Sequence, residues 1–316
     1  MQRALDETTI VLVTYNSAGV VESSLGPLRH ARSVIVVDNA SGDDSADRAR
    51  AICPKARIIR NTENLGYGRA ANKAMALVET PYALHLNPDA VLSPETLARL
   101  HAAALAAGER TAVVAPILCK PTGEPELRLM GPSEDHARPT DDIPEGDFCA
   151  WFATGAVWLV RAAAWRALGG FDENIFLYHE DFDFCRRVRA RGYTILIVPE
   201  ARGTHLVSGS TPASARLRWR KEWNIAWGHL YLDQKYRGPA TARAAAWRAI
   251  RQRVPKTVFY ALVFRPKRFV RDLAISHAAV SFLLGAGPHP LPGSRREKNR
   301  CDNPTGIEEN GAGEGI

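Results

Sequence analysis

The sequence predicts an α/β fold: a mostly parallel sheet with helices on both faces, followed by a helical, basic C-terminal extension. Three observations predict it. Strand-like and helix-like runs alternate over the first 120 residues, the rhythm that folds into a parallel sheet layered between helices. The 316 residues suffice for one large domain with an appendage. Beyond about residue 215 the alternation gives way to helical sequence rich in Lys and Arg.

Taken in order, TTIVLVT (8–14) reads as the first strand and, after a helical stretch, SVIVVDN (33–39) as the second. A helix runs through 48–52, ARIIRN (56–61) is a short third strand, 68–78 is a helix, and YALHLN (82–87) is the fourth strand. The helix over 93–108 opens on Ser-Pro and stops at Gly108, and TAVVAPIL (111–118) follows as a strand. Residues 120–147, rich in Pro, Gly and acid, predict one long loop. Over 153–171 a strand runs into a helix stopped by Gly169 and Gly170. An aromatic loop then leads to a helix over 180–191 closed by Gly192, a strand YTILIVP (193–199), and a loop carrying His205. The expected organisation is a domain over 1–215, with halves near 1–120 and 148–215, a helical basic extension over 216–287, and a disordered tail over 288–316.

The composition, 46% hydrophobic and 24% charged, is that of a globular protein, and a net charge of +7 suggests anionic partners. The five cysteines are scattered without the spacing of a zinc site or disulfide framework, which predicts reduced thiols in the cytoplasm. The N-terminus matches neither a signal peptide nor a membrane span. The basic character alone raises nucleic-acid binding, but no RNP, zinc-finger or helix-turn-helix pattern accompanies it, so none is expected. A dinucleotide oxidoreductase is excluded because TYNSAG, not G-x-G-x-x-G, follows the first strand.

Ligands of parallel α/β sheets bind beyond the carboxyl ends of the strands. Four such ends are polar here: Thr14-Tyr15-Asn16, Asp38-Asn39-Ala40-Ser41, Asn61 with Asn64-Leu65-Gly66, and Asn87-Pro88-Asp89. Any one alone is explained by a helix cap or an Asx turn, but four on one rim point to a ligand. Asp89 ends an otherwise apolar strand. Mg²⁺ or Mn²⁺ takes one or two carboxylates together with substrate phosphate oxygens, and Asp89 suits that role. The spacing leaves open whether Asp38 joins a metal or bonds a base or ribose. His205, after another strand end, either is structural or completes a metal site begun at Asp89. Glu180, Asp181 and Asp183 crowd the first turn of a helix, where the dipole favours carboxylates. An ionised carboxylate there is also able to serve as a general base, and the sequence leaves both readings standing.

Taken together, TIVLVTYNS, VIVVDNASGDDS, NTENLGYGRAANKAM, HLNPDAVLSP and the 154–193 stretch resemble the family 2 glycosyltransferases of the Rossmann-like GT-A fold, especially their bacterial rhamnosyltransferase-like branch. The resemblance covers roughly residues 8–210. It implies an inverting transferase that moves a sugar, rhamnose in this branch, from a nucleotide-diphosphate donor to a hydroxyl during cell-surface polysaccharide synthesis. By it, Thr14, Tyr15, Asn16, Asp38, Asn39 and Ser41 would hold the base and ribose, and Asn64, Gly66, Arg69 and Asn72 would line the donor pocket. Asp89 would be the remaining acid of the D-x-D metal motif, with Asn87 at its first position and His205 as a further ligand of Mg²⁺ or Mn²⁺. Asp181 would be the general base, with Glu180 beside it. The donor implied is dTDP-rhamnose, or a UDP- or GDP-sugar, and the acceptor a glycan or polyprenyl-diphosphate-linked sugar.

Arg216, Arg218, Arg220 and Lys221 either clamp a diphosphate or form a solvated helix face. The basic aromatic stretch over 243–272 suggests peripheral contact with the inner face of the cell membrane, with homo-oligomerisation as the competing use. A non-catalytic nucleotide-sugar-binding scaffold of the same fold is the alternative function.

Overall fold

The computed structural model describes residues 1–131, 138–140, 142–206 and 214–288. The expected disordered tail lies, apart from Pro288, outside the described residues. In chain order the first half comprises α1 (Gln2–Asp6), β1 (Thr8–Thr14), α2 (Val21–Leu25), β2 (Ser33–Asp38), α3 (Ser45–Ile52), β3 (Arg57–Arg60), α4 (Tyr67–Met75), β4 (Tyr82–Leu86), β5 (Ala90–Val91), α5 (Pro94–Ala106) and β6 (Thr111–Cys119). The second half comprises β7 (Leu127–Leu129), β8 (Arg138–Thr140), β9 (Phe148–Ala150), β10 (Val157–Arg161), α6 (Ala162–Leu168), α7 (Glu180–Ala190), β11 (Thr194–His205), α8 (Ala215–Arg237), α9 (Pro239–Leu262) and α10 (Pro266–Leu283).

The main sheet runs in the order β3-β2-β1-β4-β10-β6-β11-β5, with β9 beside β11. β3, β2, β1 and β4 are mutually parallel, and so are β6 and β11. β10 lies antiparallel between β4 and β6, so the sheet is mixed in its second half. Side chains alternate across the strands. Val11 and Val13 join one core with α4, α6 and α7, built around Trp158, Trp165, Phe171 and Phe184. Ile10 and Leu12 face the other core, with α1, α2, α3 and α5. The strand order switches at β1, whose carboxyl end lies between those of β2 and β4, where a ligand crevice is expected.

Two sequence expectations are corrected. The 120–147 stretch is not one loop: β7 and β8 form a small antiparallel ribbon within it, and β9, just beyond it, adds to the main sheet. These strands have three residues each, too few to show a periodicity. The second correction is that His205 does not sit in a loop. β11 continues through an irregularity between Val198 and Arg202 and reaches His205, because its last residues pair with β5.

The three C-terminal helices pack on each other through Trp223, Trp227, Ala274 and Ala278, and through Leu230, Ala246 and Ala279. Among the described residues no helix is long and apolar enough to cross a membrane.

Candidate active site

The ends of β1 and β2 form a hydrogen-bonded floor. The Thr14 hydroxyl donates to Asp38 Oδ1 at 2.9 Å, and the Ser41 amide donates to Asp38 Oδ2. Both Thr14 and Asp38 are buried, so they support the crevice from below. The Asn16 amide donates to the Ser41 hydroxyl, and Asn16 Oδ1 accepts from the Gly42 amide at 2.7 Å. Asn16 and Ala40 both have positive φ, an uncommon state for non-glycine residues that the surrounding bonds hold in place. Asn39 is almost fully used within the protein. Its Nδ2 donates to Asn64 Oδ1 and the Gly66 carbonyl, while its Oδ1 accepts from Asn61 Nδ2 and the Leu65 amide. It therefore holds the 61–66 loop in place. Gly66, at φ 86°, passes so close to Phe176 that an added Cβ would meet the Phe176 carbonyl at 2.3 Å.

The Asn87-Pro88-Asp89 turn leads directly into β5, whose Ala90 pairs with His205. This ladder, reinforced by the Leu206 amide donating to the Asp89 carbonyl, brings Asp89 to the end of β11. Asp89 Oδ1 lies 3.5 Å from His205 Nε2, and His205 Nδ1 lies 3.5 Å from Glu126 Oε2. The Asp89 carboxylate beside it raises the His205 pKa despite partial burial. The fit to a hard divalent cation is good. Bonds of about 2.1 Å from one ion span the gap between Asp89 and His205, and among the described residues the buried Asn87 Oδ1 has no hydrogen-bond partner. Among the described residues no group of three His, Cys, Asp or Glu is arranged to hold a metal alone.

Glu180 and Asp181 open α7 behind two consecutive left-handed residues, Tyr178 and His179. Such paired strain persists only where neighbours enforce it. Here His179 Nε2 donates to the Ile225 carbonyl of α8, and Gly228 leaves room for the imidazole, since a Cβ there would meet His179 Cδ2 at 2.6 Å. Asp181 accepts from the Gly155 and Phe182 amides at 3.2 and 2.8 Å. Burial raises the pKa of both carboxyls. For Glu180 the neighbouring Asp181 charge adds to the rise, whereas the amides that bond Asp181 counter it there. Among the described residues Glu180 Oε2 has no hydrogen-bond partner, whereas both oxygens of Asp181 accept backbone amides.

Tyr67 joins the two sets: its hydroxyl is raised above the usual tyrosine range by burial and by the charges of Glu180, Asp181 and Asp89. It lines a cleft of about 440 Å³ with Tyr15, Asn16, Asn39, Asn64, Gly66, Asn87 and Asp89. One wall of this cleft is the start of α8, where Ser214, Arg216, Leu217, Arg220 and Lys221 face it. Of the four cations singled out in the sequence, Arg218 alone does not line the cleft. Arg69 and Asn72 do not line it either. Arg69 donates to the Glu173 carbonyl and Asn72 bonds both the amide and the carbonyl of Phe171, so both fasten the loop before α7.

Tyr67, Glu126 and Tyr178 were missed as site residues. An aromatic between two glycines at a helix start was the available signal for Tyr67; Glu126 carried none. A Cβ at Gly155 would fall 2.9 Å from Asp181 Cβ. Gly155→Ala is therefore expected to displace Asp181 and lower turnover about tenfold with donor affinity unchanged, measured as kcat against KM.

A mixed α/β sheet with a polar crevice beyond its strand ends, lined by Tyr15, Asn16, Asn39, Asn87 and Asp89, has the architecture of the GT-A fold. The chain aligns over 88% of its length, with a TM-score of 0.53 and 16% identity, with 87% of the mannosyltransferase PcManGT from Pyrobaculum calidifontis, solved with GDP-Man and Mn²⁺. It aligns equally far with 92% of S. aureus TarS 1-349 (TM-score 0.50, 14% identity). Residues 9–161 match the model of Glycosyl transferase family 2. The N-acetylglucosaminyl-diphospho-decaprenol L-rhamnosyltransferase of Mycobacterium tuberculosis is 29% identical over 246 residues, 66% of this chain and 80% of that protein.

Proposed function

We propose that the protein transfers a sugar, rhamnose by its mycobacterial relative, from a nucleotide-diphosphate donor to a hydroxyl of a polyprenyl-diphosphate-linked acceptor, with inversion at the anomeric carbon. The observation that supports this is that Asp89 and Tyr67 line one cleft, while the Glu180–Asp181 pair lies behind that lining, close enough for its charges to act on the Tyr67 hydroxyl. Tyr15 and Asn16 would meet the base and ribose at the floor held by Asp38 and Asn39. Arg216, Arg220 and Lys221 would face the diphosphate, adding positive charge where negative charge develops. A divalent cation, Mg²⁺ or Mn²⁺, would be held by Asp89 and His205 and would neutralise charge on the leaving diphosphate.

Asp181, whose carboxylate is favoured by the Gly155 and Phe182 amides, takes the proton of the acceptor hydroxyl as that oxygen attacks the anomeric carbon from the face opposite the diphosphate. The displacement forms one C–O bond as the other breaks, so it inverts the centre and needs no covalent sugar–enzyme species. The intact carboxylates count against a scaffold that only binds the nucleotide sugar. A lipid-linked acceptor would place the work at the inner face of the cell membrane.

The test is turnover of a panel of dTDP-, UDP- and GDP-sugars with Mg²⁺ or Mn²⁺ and a polyprenyl-diphosphate sugar acceptor. One donor should be consumed, and its product should carry the inverted linkage by NMR. Chelation should abolish the reaction and added metal restore it. Asp89→Ala is expected to lower turnover at least about 100-fold, because several kcal/mol of charge stabilisation at the diphosphate are lost. Donor binding without any transfer would instead establish the scaffold.

A further inference from the structure

The α9–α10 hairpin ends in an apolar tip exposed to solvent. Phe264 is 89% exposed, Leu262 72% and Phe259 57%, with Val258 and Val263 also exposed beside them. Trp247, Val254, Val258 and Leu262, spaced seven, four and four residues apart, continue this surface along one face of α9. Patches of this kind mark interaction sites. Lys256, Arg265, Lys267 and Arg268 surround the tip, and residues 234–271 hold no Asp or Glu at all. The next acid, Asp272, is buried between Arg253 and Arg271.

The position of the tip is set by helix packing. α8 and α9 are joined through Gly238 alone, and α10 doubles back on α9, with Arg253 reaching Asp272. Along α10, His277 meets Trp219 and Trp223 of α8, and Ala286 beyond it meets Trp227. α10 therefore runs parallel to α8, and the hairpin tip lies at the same end as the start of α8. That start is the wall of the cleft.

We infer that the α9–α10 tip docks on an anionic lipid bilayer, Phe264, Leu262 and Phe259 entering the interface while Lys256, Arg265, Lys267 and Arg268 meet the phosphate headgroups. Charge decides for lipid over a second copy of this chain, since two like tips would oppose cation to cation. Docking at this end turns the cleft mouth toward the membrane surface, where a polyprenyl diphosphate presents its sugar. That consequence rests on the transferase reading; the lipid contact itself does not.

The test is sedimentation of the full-length protein with phosphatidylglycerol–phosphatidylcholine vesicles and with phosphatidylcholine alone. Binding is expected to the first only, weakening as salt is raised. Phe264 has φ 48°, which Asn tolerates well, so Phe264→Asn removes the ring without straining the turn. Combined with Leu262→Gln it should weaken vesicle binding about tenfold, and Phe264→Trp should retain it. Lys267→Glu with Arg268→Glu should remove the anionic preference. These variants should turn over donor with a short-chain, water-soluble acceptor at the wild-type rate, so a failed transferase reading would show in that arm and leave the vesicle arm readable. Wild-type protein that ignores anionic vesicles, or tip variants that bind them unchanged, would overturn the inference. So would a tip substitution that converts a dimer to a monomer by light scattering while vesicle binding is unaltered.

Discussion

Asp181→Asn is expected to slow sugar transfer by roughly a thousandfold, within the range that a positioned general base contributes. Nucleotide binding by calorimetry should stay close to that of the wild type, because Asp181 stands outside the group of side chains that line the nucleotide crevice. The substitution keeps the shape of the side chain but removes its ability to take a proton. Its structural cost is small. The two carboxylate oxygens accept one amide each, from Gly155 and Phe182, and an asparagine offers a single oxygen, so one bond worth about 1 kcal/mol is lost. The pH profile separates a base from a helix cap. Burial raises the Asp181 pKa, and the base works only when ionised, so the rate should fall on the acid side at a pH above that of an ordinary aspartate. In Asp181→Asn the residual rate should lose this acid limb. Loss of nucleotide binding in parallel with activity would return the residue to a capping role.

Lys235→Met is expected to destabilise the protein by about 3 kcal/mol, the cost of leaving a buried charge short of its partner. Lys235 reaches Asp172 at 2.6 Å and the fully buried Asp183 at 2.5 Å. Tyr236 and Arg187 also bond Asp183, and Tyr231 bonds Asp172. This network ties α8 to α7, the helix that opens on Glu180 and Asp181. Chemical denaturation should show the loss, and the Lys235→Met/Asp183→Asn pair should recover part of it, because the buried carboxylate that has lost one of its two cations is then gone. Burial alone would raise the Asp172 pKa, yet bonds from Lys235, the Asn174 amide and Tyr231 bring it down to about 2. A depressed carboxyl contributes stability above its unfolded pKa and loses it as pH falls through the folded one. The Asp172 contribution should therefore disappear from about pH 4 downward to about 2.

How much of this was legible in the sequence depends on what each residue does. The place of Asp89 at the cleft was legible because it stands with three other polar strand ends on one rim, and the helix start at Glu180–Asp181 because two acids after an aromatic loop mark one. Asp38 and Asn39 were read as ligand contacts on the same grounds. Whether a strand-end polar group is free for a ligand depends on partners far along the chain, and here Thr14, Ser41, Asn61 and Asn64 already engage them. The same gap hid the true role of Arg69 and Asn72, whose partners lie about a hundred residues downstream. The end of β11 was lost because its partner β5 has only two residues. That α8 walls the cleft was not legible either: apolar and charged residues are spread around this helix, and nothing in its sequence says which side meets a neighbour.

The β5–β11 ladder has a consequence for how the protein comes to life. Asp89 and His205 are separated by roughly a hundred residues, and closing so long a loop is slow and is repaid late. A nascent chain that has emerged only through β5 carries half of the pair proposed to hold the cation, and the cleft still lacks the wall that α8 supplies. On the proposed reading, donor and cation would therefore meet a complete site only in the finished molecule. Each stabilises that state by mass action without rewarding any shorter one, so ligand occupancy guards the last closure of the sheet against reopening.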